Sequence, residues 1–187
     1  MIQETIVTTQ NSSGVTHIAP MGIHVNGDDF IILPFRPSLT LNNLLESKTA
    51  VINYCDDVRV FAGCLTGRRD WPLTAAEKIN GQVLQCALAH TEVELVRIED
   101  DPTRPKLFCK AVHTVNHAPF KGFNRAQFSV LEAAILISRL NRLPLAKIAE
   151  EIDYLRIGVE KTAGDRELEA WGWLMAAIEK FKAEVKS

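Results

Sequence analysis

The stretch Pro34–Asp57, PFRPSLTLNNLLESKTAVINYCDD, decides how the rest of the chain is read. Phe35 to Leu39 leaves a strand and is stiffened by Pro37, which lacks an N–H and fixes its own φ. Thr40 to Ser47 sets Leu41, Leu44 and Leu45 at the three- and four-residue spacing of one buried helical face. Thr49 to Tyr54 then returns as a β-branched strand. Ser38, Thr40 or Asn42 can cap the helix, each offering a short side-chain oxygen to its open N–H groups. Those N–H groups, with Arg36 beside them, form a natural seat for a phosphate. An ordinary capped strand–turn–helix accounts for the same residues.

Working outward, the N-terminal part reads as an antiparallel meander. Glu4–Thr9 is β-rich and ends in the turn formers Gln10–Gly14. Val15–Val25 resumes as a strand that Ala19-Pro20-Met21-Gly22 breaks in the middle, marking a sheet edge, a bulge or a close approach to a ligand. Asn26–Asp29 is a tight turn and Phe30–Leu33 the next strand. After the opening stretch, Val58–Leu65 is a short apolar helix under the barrel floor and Thr66–Leu73 a polar loop. Ala87–Ile98 alternates as a half-buried strand, Asp100-Asp101-Pro102 turns the chain, and Leu107–Val115 is another strand. At Lys121-Gly122 the period changes. NRAQFSVLEAAILISRL, from Asn124 as its N-cap, is an apolar helix over Arg125–Leu140. Pro144 opens a second helix. A third follows Gly164, with Leu168, Trp171, Leu174, Met175, Ile178 and Phe181 in a stripe. Trp173 lies off that stripe, as a subunit contact would.

Composition excludes several classes. The chain has 187 residues, 47% hydrophobic and 24% charged, the profile of a globular protein. A net charge of −2 provides no global field for nucleic acid or anionic membrane. The helical tail from Phe123 balances ten basic against ten acidic residues, so a superficial helix-turn-helix there lacks phosphate-seeking charge. No apolar run approaches the roughly 20 residues of a membrane span. The start carries neither the basic nor the apolar region of a secretory signal. Four cysteines lie scattered without a C-x-x-C pair, so a reduced, cytoplasmic protein is expected.

His113 and His117 share a face on a straight strand, but no third ligand stands at motif spacing. No metal is expected, and their role stays open. Neither G-x-G-x-x-G nor G-x-x-x-x-G-K-[ST] occurs.

Three motifs taken together carry a resemblance. Thr16–Gly22 (THIAPMG), Arg36–Leu44 (RPSLTLNNL) and Thr49–Tyr54, with Asn53 at the place of its Asn, follow in the order of the FMN-binding split barrel of the flavin reductase superfamily. ETIVTT near the start and FNRAQFSVLEAAILISRL in the tail resemble more narrowly a subfamily of archaeal and bacterial flavin-reductase-like proteins. The likeness runs from Glu4 to about Phe181. Thr16-His17 departs from the Asn often found ahead of the Ala-Pro.

The resemblance implies an α+β fold: an antiparallel split β-barrel over residues 1–122 and a C-terminal helical subdomain over 123–187, packed on the barrel and at a dimer interface. It implies FMN as cofactor, its phosphate held by Arg36, Ser38, Thr40 and Asn43. The ring would lie along His17, Ala19, Pro20, Met21 and Gly22. NADH, NADPH or another small donor would reduce the flavin, a homodimer is implied, and no catalytic side chain is singled out. A flavin- or nucleotide-binding module without turnover, and a pterin- or C1-linked enzyme on the same barrel, are the alternatives.

Overall fold

In the computed structural model, residues 1–27 and 29–186 are described, the side chain of Lys186 apart. Asp28, in the expected turn, and Ser187, at the end of the expected helical extension, lie outside them. Of the three candidate caps, Ser38 begins the first helix: its Oγ accepts the Leu41 N–H at 3.2 Å, opening α1 (Leu39–Ser47). Lys48 closes α1 in the left-handed region (φ 62°), its N–H on the Leu44 carbonyl. The chain then enters β4 (Thr49–Tyr54), whose Ala50 and Ile52 join Leu41 and Leu44 in one core while Val51 and Asn53 face the other way.

β1 (Ile2–Gln10), β2 (Thr16–Asn26), β3 (Asp29–Ile32), β4, β7 (Ala89–Glu99) and β8 (Lys106–Asn116) close into an antiparallel barrel of order β1-β2-β3-β8-β7-β4. This is the expected split barrel. β2 is not broken at Ala19–Gly22: it pairs with β1 throughout, Ile6 opposite Pro20 and Glu4 opposite Gly22. The reason lies in its other edge. β3 reaches only His24–Asn26 of β2 and Leu107–Lys110 of β8. Beyond that, among the described residues, no third strand pairs with β2 at Thr16–Ile23 or with β8 at Ala111–Asn116, and a strand laddered on one edge tolerates a proline. Those two edges are where the barrel is split. A hairpin of β5 (Leu73–Ala75) and β6 (Gln82–Leu84) takes up the end of the expected polar loop Thr66–Leu73 and the chain after it.

The chain forms two compact units. One comprises Met1–Cys55 and Trp71–Phe120; the other comprises Asp56–Asp70 and the chain from Lys121. The helix expected at Val58–Leu65 forms as α2, but its residues pack among helices: Val58 and Ala62 share a core with Val130, Ile152, Leu174 and Ile178. Asp57 caps α2 at the Arg59 N–H, and the Arg59 guanidinium then bridges Asp57 (2.7 Å) and Glu169 (3.1 Å). α3 (Arg125–Ile137) starts at Asn124, whose Oδ1 accepts from Ala126 and Gln127. It ends three residues short of the expected Leu140. α4 (Leu145–Thr162) and α5 (Asp165–Lys186) complete the unit. Leu168 is 53% exposed and so leaves the expected stripe, whereas Trp173 is half-buried with the Arg68 guanidinium 4.3 Å from its ring centroid. No helix among the described residues is long and apolar enough to cross a membrane.

Two helical glycines separate packing from propensity. A Cβ on Gly158 in α4 would stand 2.5 Å from the Ser129 Oγ and 3.2 Å from the Arg125 carbonyl of α3, whereas one on Gly172 in α5 would meet nothing within 4 Å. Gly158→Ala is therefore expected to destabilise by about 1–3 kcal/mol. Gly172→Ala should stabilise by up to about 1 kcal/mol. Urea midpoints of the two variants test this; a shift in the same direction for both would contradict it.

Candidate functional site

The residues expected to hold a phosphate at the start of α1 are of two kinds. Ser38 and Arg36 stand at the surface end: Ser38 Oγ is the cap, and Arg36 is half-exposed with its Nη2 2.9 Å from Asp100 Oδ1. The first helical bond runs from Asn42 N–H to the Ser38 carbonyl. The N–H groups of Leu39 and Thr40 make no hydrogen bond among the described residues. Thr40 and Asn43, by contrast, are buried, and Asn43 Nδ2 donates to Thr9 Oγ1 at 3.1 Å. Thr9 in turn pairs with His17 across the β1–β2 ladder, so α1 and the start of β2 converge on one β1 threonine.

Along β2 the five expected ring contacts divide by alternation. His17, Ala19 and Met21 share the face of Thr9, Val7 and Thr5, which is the face of the barrel core; Pro20 and Gly22 point the opposite way. Space beside Gly22 is taken by β1, since a Cβ there would lie 3.1 Å from Ile2 Cγ2 and 3.3 Å from Glu4 Oε1. The missing side chain at this position accommodates the neighbouring strand.

A second polar constellation escaped the sequence reading. His90 and Glu92, two residues apart on β7, share the outer face of β4's Val51 and Asn53 while Val93, opposite Ala50, turns into the core. The bulge at this point adds Val112 to β8 and leaves the alternation of β7 intact. Glu92 is fully buried, and its carboxylate accepts the N–H groups of Glu77, Lys78 and Ile79 at 2.7, 2.8 and 2.9 Å. His90 Nε2 lies 3.4 Å from Glu92 Oε1, and His90 Nδ1 lies 2.8 Å from His117 Nε2, the two rings stacked at 5.0 Å. His113 packs edge-on to His90, with its Nε2 3.2 Å from Glu77 Oε2. Burial opposes the charge on Glu92, but the three N–H groups and His90 outweigh it and hold the carboxyl below the usual range. Burial likewise pushes His90 down against the pull of Glu92, with His117 and His113 adding to the effect.

Tautomers follow from these states. An ionised Glu92 accepts and cannot donate, so neutral His90 carries its proton on Nε2 and its Nδ1 accepts from His117 Nε2–H. His117, exposed just beyond β8, lines a pocket of about 460 Å³ with Pro119 and Phe120. Among the described residues, no three His, Cys, Asp or Glu are grouped to hold a metal ion. The signal present in the sequence was His-x-Glu at 90–92, two polar residues on one face of a strand.

A family model described as "Protein of unknown function (DUF447) N-terminal domain" matches residues 3–118, and one described as "Protein of unknown function (DUF447)" matches residues 124–176. Among solved structures, an FMN-bound protein from Methanosarcina mazei, assigned to the same family, is 21% identical with a TM-score of 0.81 over 94% of each chain. The 2-nitrobenzoate 2-nitroreductase of Pseudomonas fluorescens is 23% identical with a TM-score of 0.54, over 61% of this chain and 64% of that one. The flavin reductase component of a bacterial two-component tryptophan halogenase is 16% identical with a TM-score of 0.52, over 63% and 81%. At these identities the likeness is one of fold.

The buried pair makes stability depend on pH in two stages. His90 titrates below its ordinary 6.5 in the folded state, so the unfolded chain takes up the proton first and stability falls as pH drops through 6.5. Glu92 titrates below its ordinary 4.5, so its contribution is complete above that pH and is lost as pH falls through the depressed folded value. Urea midpoints measured across this range should decline in both windows. His90→Gln is expected to flatten the upper stage and Glu92→Gln the lower one. Parallel curves for wild type and both variants would contradict the assignment.

Proposed function

The chain belongs to the DUF447 family, and from that premise we propose that it is an FMN-binding flavoprotein with flavin-reductase-like redox activity. One observation carries the reading: an FMN-bound protein of the same family matches it over 94% of both chains at a TM-score of 0.81. The residues present fit such a ligand. The open N–H groups of Leu39 and Thr40, the Ser38 hydroxyl and the Arg36 guanidinium would hold the phosphate, on a helix end that favours an anion. Asp100, the carboxylate paired with Arg36, is itself 76% exposed, so exchanging it for a phosphate exposes no buried charge. Thr40 and Asn43 would act from behind, Asn43 by fixing α1 to Thr9.

His17, Ala19 and Met21, on the β2 face beside that threonine, would line the ring, with Pro20 and Gly22 contributing backbone only. Bound FMN supplies the two-electron chemistry, while the protein sets its position and the dipoles around it. The donor in this reading is NADH or NADPH, and the protein works as a homodimer, the commonest closed assembly. Four cysteines without a disulfide among them suit a reducing cytoplasmic setting.

The phosphate assignment is tested by comparing ligands. Arg36→Ala should weaken FMN about tenfold to a hundredfold, the equivalent of roughly 1.5–3 kcal/mol for a charge-assisted bond, and leave riboflavin nearly unchanged. Equal losses for both would place the phosphate elsewhere. Turnover is tested by anaerobic bleaching of the bound flavin with NADH, NADPH and dithionite. Reduction by a nicotinamide supports the reductase; reduction by dithionite alone favours a flavin-binding module without that activity. Sedimentation at micromolar concentration should give a dimer, and a monomer that still binds FMN removes that element.

A further inference from the structure

Four cysteines fall into two chemical classes. Cys64 and Cys109 are buried, and burial pushes their thiols up to about 11 and about 12, so both hold their protons at neutral pH. Cys55 and Cys86 are half-buried instead, and their sulfurs lie 3.5 Å apart. Cys55 Sγ also stands 3.7 Å from the Cys86 carbonyl.

Thirty-one positions separate the two along the chain, so local geometry does not explain the contact. The backbone around them does. Cys55 follows directly on β4 and Cys86 lies two residues beyond β6. Leu84 N–H donates to Asn53 Oδ1 at 2.9 Å on one side of the pair, and Leu88 N–H donates to the Tyr54 carbonyl at 2.8 Å on the other. Two bonds that owe nothing to sulfur thus hold the two backbones in register. A disulfide needs the sulfurs at about 2.05 Å, so small side-chain movements must close the remaining gap.

We propose that Cys55 and Cys86 form a redox-modification site, a thiol pair that a hydroperoxide converts to an intramolecular disulfide. One thiol, as thiolate, attacks the peroxide oxygen, breaking the O–O bond to give a sulfenic acid and one water. The second thiol attacks that sulfur and a second water leaves. Two thiols and one hydrogen peroxide become one disulfide and two waters, the sulfurs losing two electrons and the peroxide gaining them. Proximity makes the second step faster than further oxidation of the sulfenic acid. The product ties the end of β4 to the segment entering β7.

The test uses the whole purified protein. Every cysteine falls on a different tryptic peptide: Cys55 on 49–59, Cys64 on 60–68, Cys86 on 79–97 and Cys109 on 107–110. The protein is treated with hydrogen peroxide, blocked with N-ethylmaleimide and digested without reductant. Mass spectrometry is expected to find 49–59 joined to 79–97, lighter than the two peptides by two hydrogens, with Cys64 and Cys109 still alkylated after unfolding. Dithiothreitol should restore both thiols. Cys86→Ser should abolish the link, and Cys55→Ser should do the same. Four intact thiols after peroxide, a link through Cys64 or Cys109, or separate sulfinic acids at Cys55 and Cys86 would each overturn the proposal. None of these readouts involves flavin, so the result stands apart from the reading of the cofactor.

Discussion

Asn53 is fully buried on the outward face of β4, and its amide must find its partners without water. Its Nδ2 lies within hydrogen-bonding distance of the Ile6 carbonyl (3.0 Å), the Thr8 hydroxyl (3.3 Å) and its neighbour Val51's carbonyl (3.3 Å), and its Oδ1 accepts from Leu84 (2.9 Å). One side chain thereby joins β1, β4 and the β5–β6 hairpin. Thr8 donates its hydroxyl to the Gln82 carbonyl, and the Glu92 carboxylate accepts the N–H groups of Glu77, Lys78 and Ile79 at the turn. The hairpin, whose Val83 and Leu84 are also buried, is thus tied to the barrel wall by these polar contacts, and the placement of both Cys86 and the approach to His90 depends on it.

The opening stretch was legible because it carries periodic signals of adequate length. Leu41 and Leu44 do fill one core, Thr49–Tyr54 does alternate sides, and Ser38 and Asn124 do cap their helices. The barrel followed from the order of motifs. β5 and β6 were missed because three residues apiece show no period, although Asn80-Gly81 is a turn signal between them. Of the sheet edge, bulge or close approach that Ala19–Gly22 marks, the edge is the one present: among the described residues β3 pairs with β2 only from His24 on, so Pro20 costs no second ladder.

The candidate site was legible in its charged and capping groups and illegible where packing decides. Arg36 and Ser38 stand at the open end of α1, as the local pattern says. That Asn43 would be committed to Thr9 depends on a long-range approach of α1 to β1, which no local spacing encodes. Glu92 was taken for one of the polar positions of a half-exposed strand. It does lie on that side of the strand, but the backbone of 77–79, from another part of the chain, covers the face and buries it. Trp173 shows the same dependence: Arg68, from another part of the chain, covers its ring.

Glu92 recognises the hairpin through main-chain N–H groups, which every amino acid except proline supplies. The clamp is therefore blind to the side chains it holds. Substitutions at Lys78 leave its bonds in place whatever their charge or size, while a proline at 77, 78 or 79 removes a donor and leaves a buried carboxylate short of a partner. Homologues are free to diversify the tip of this hairpin, and with it the surface beside His113, without disturbing the anchor beneath.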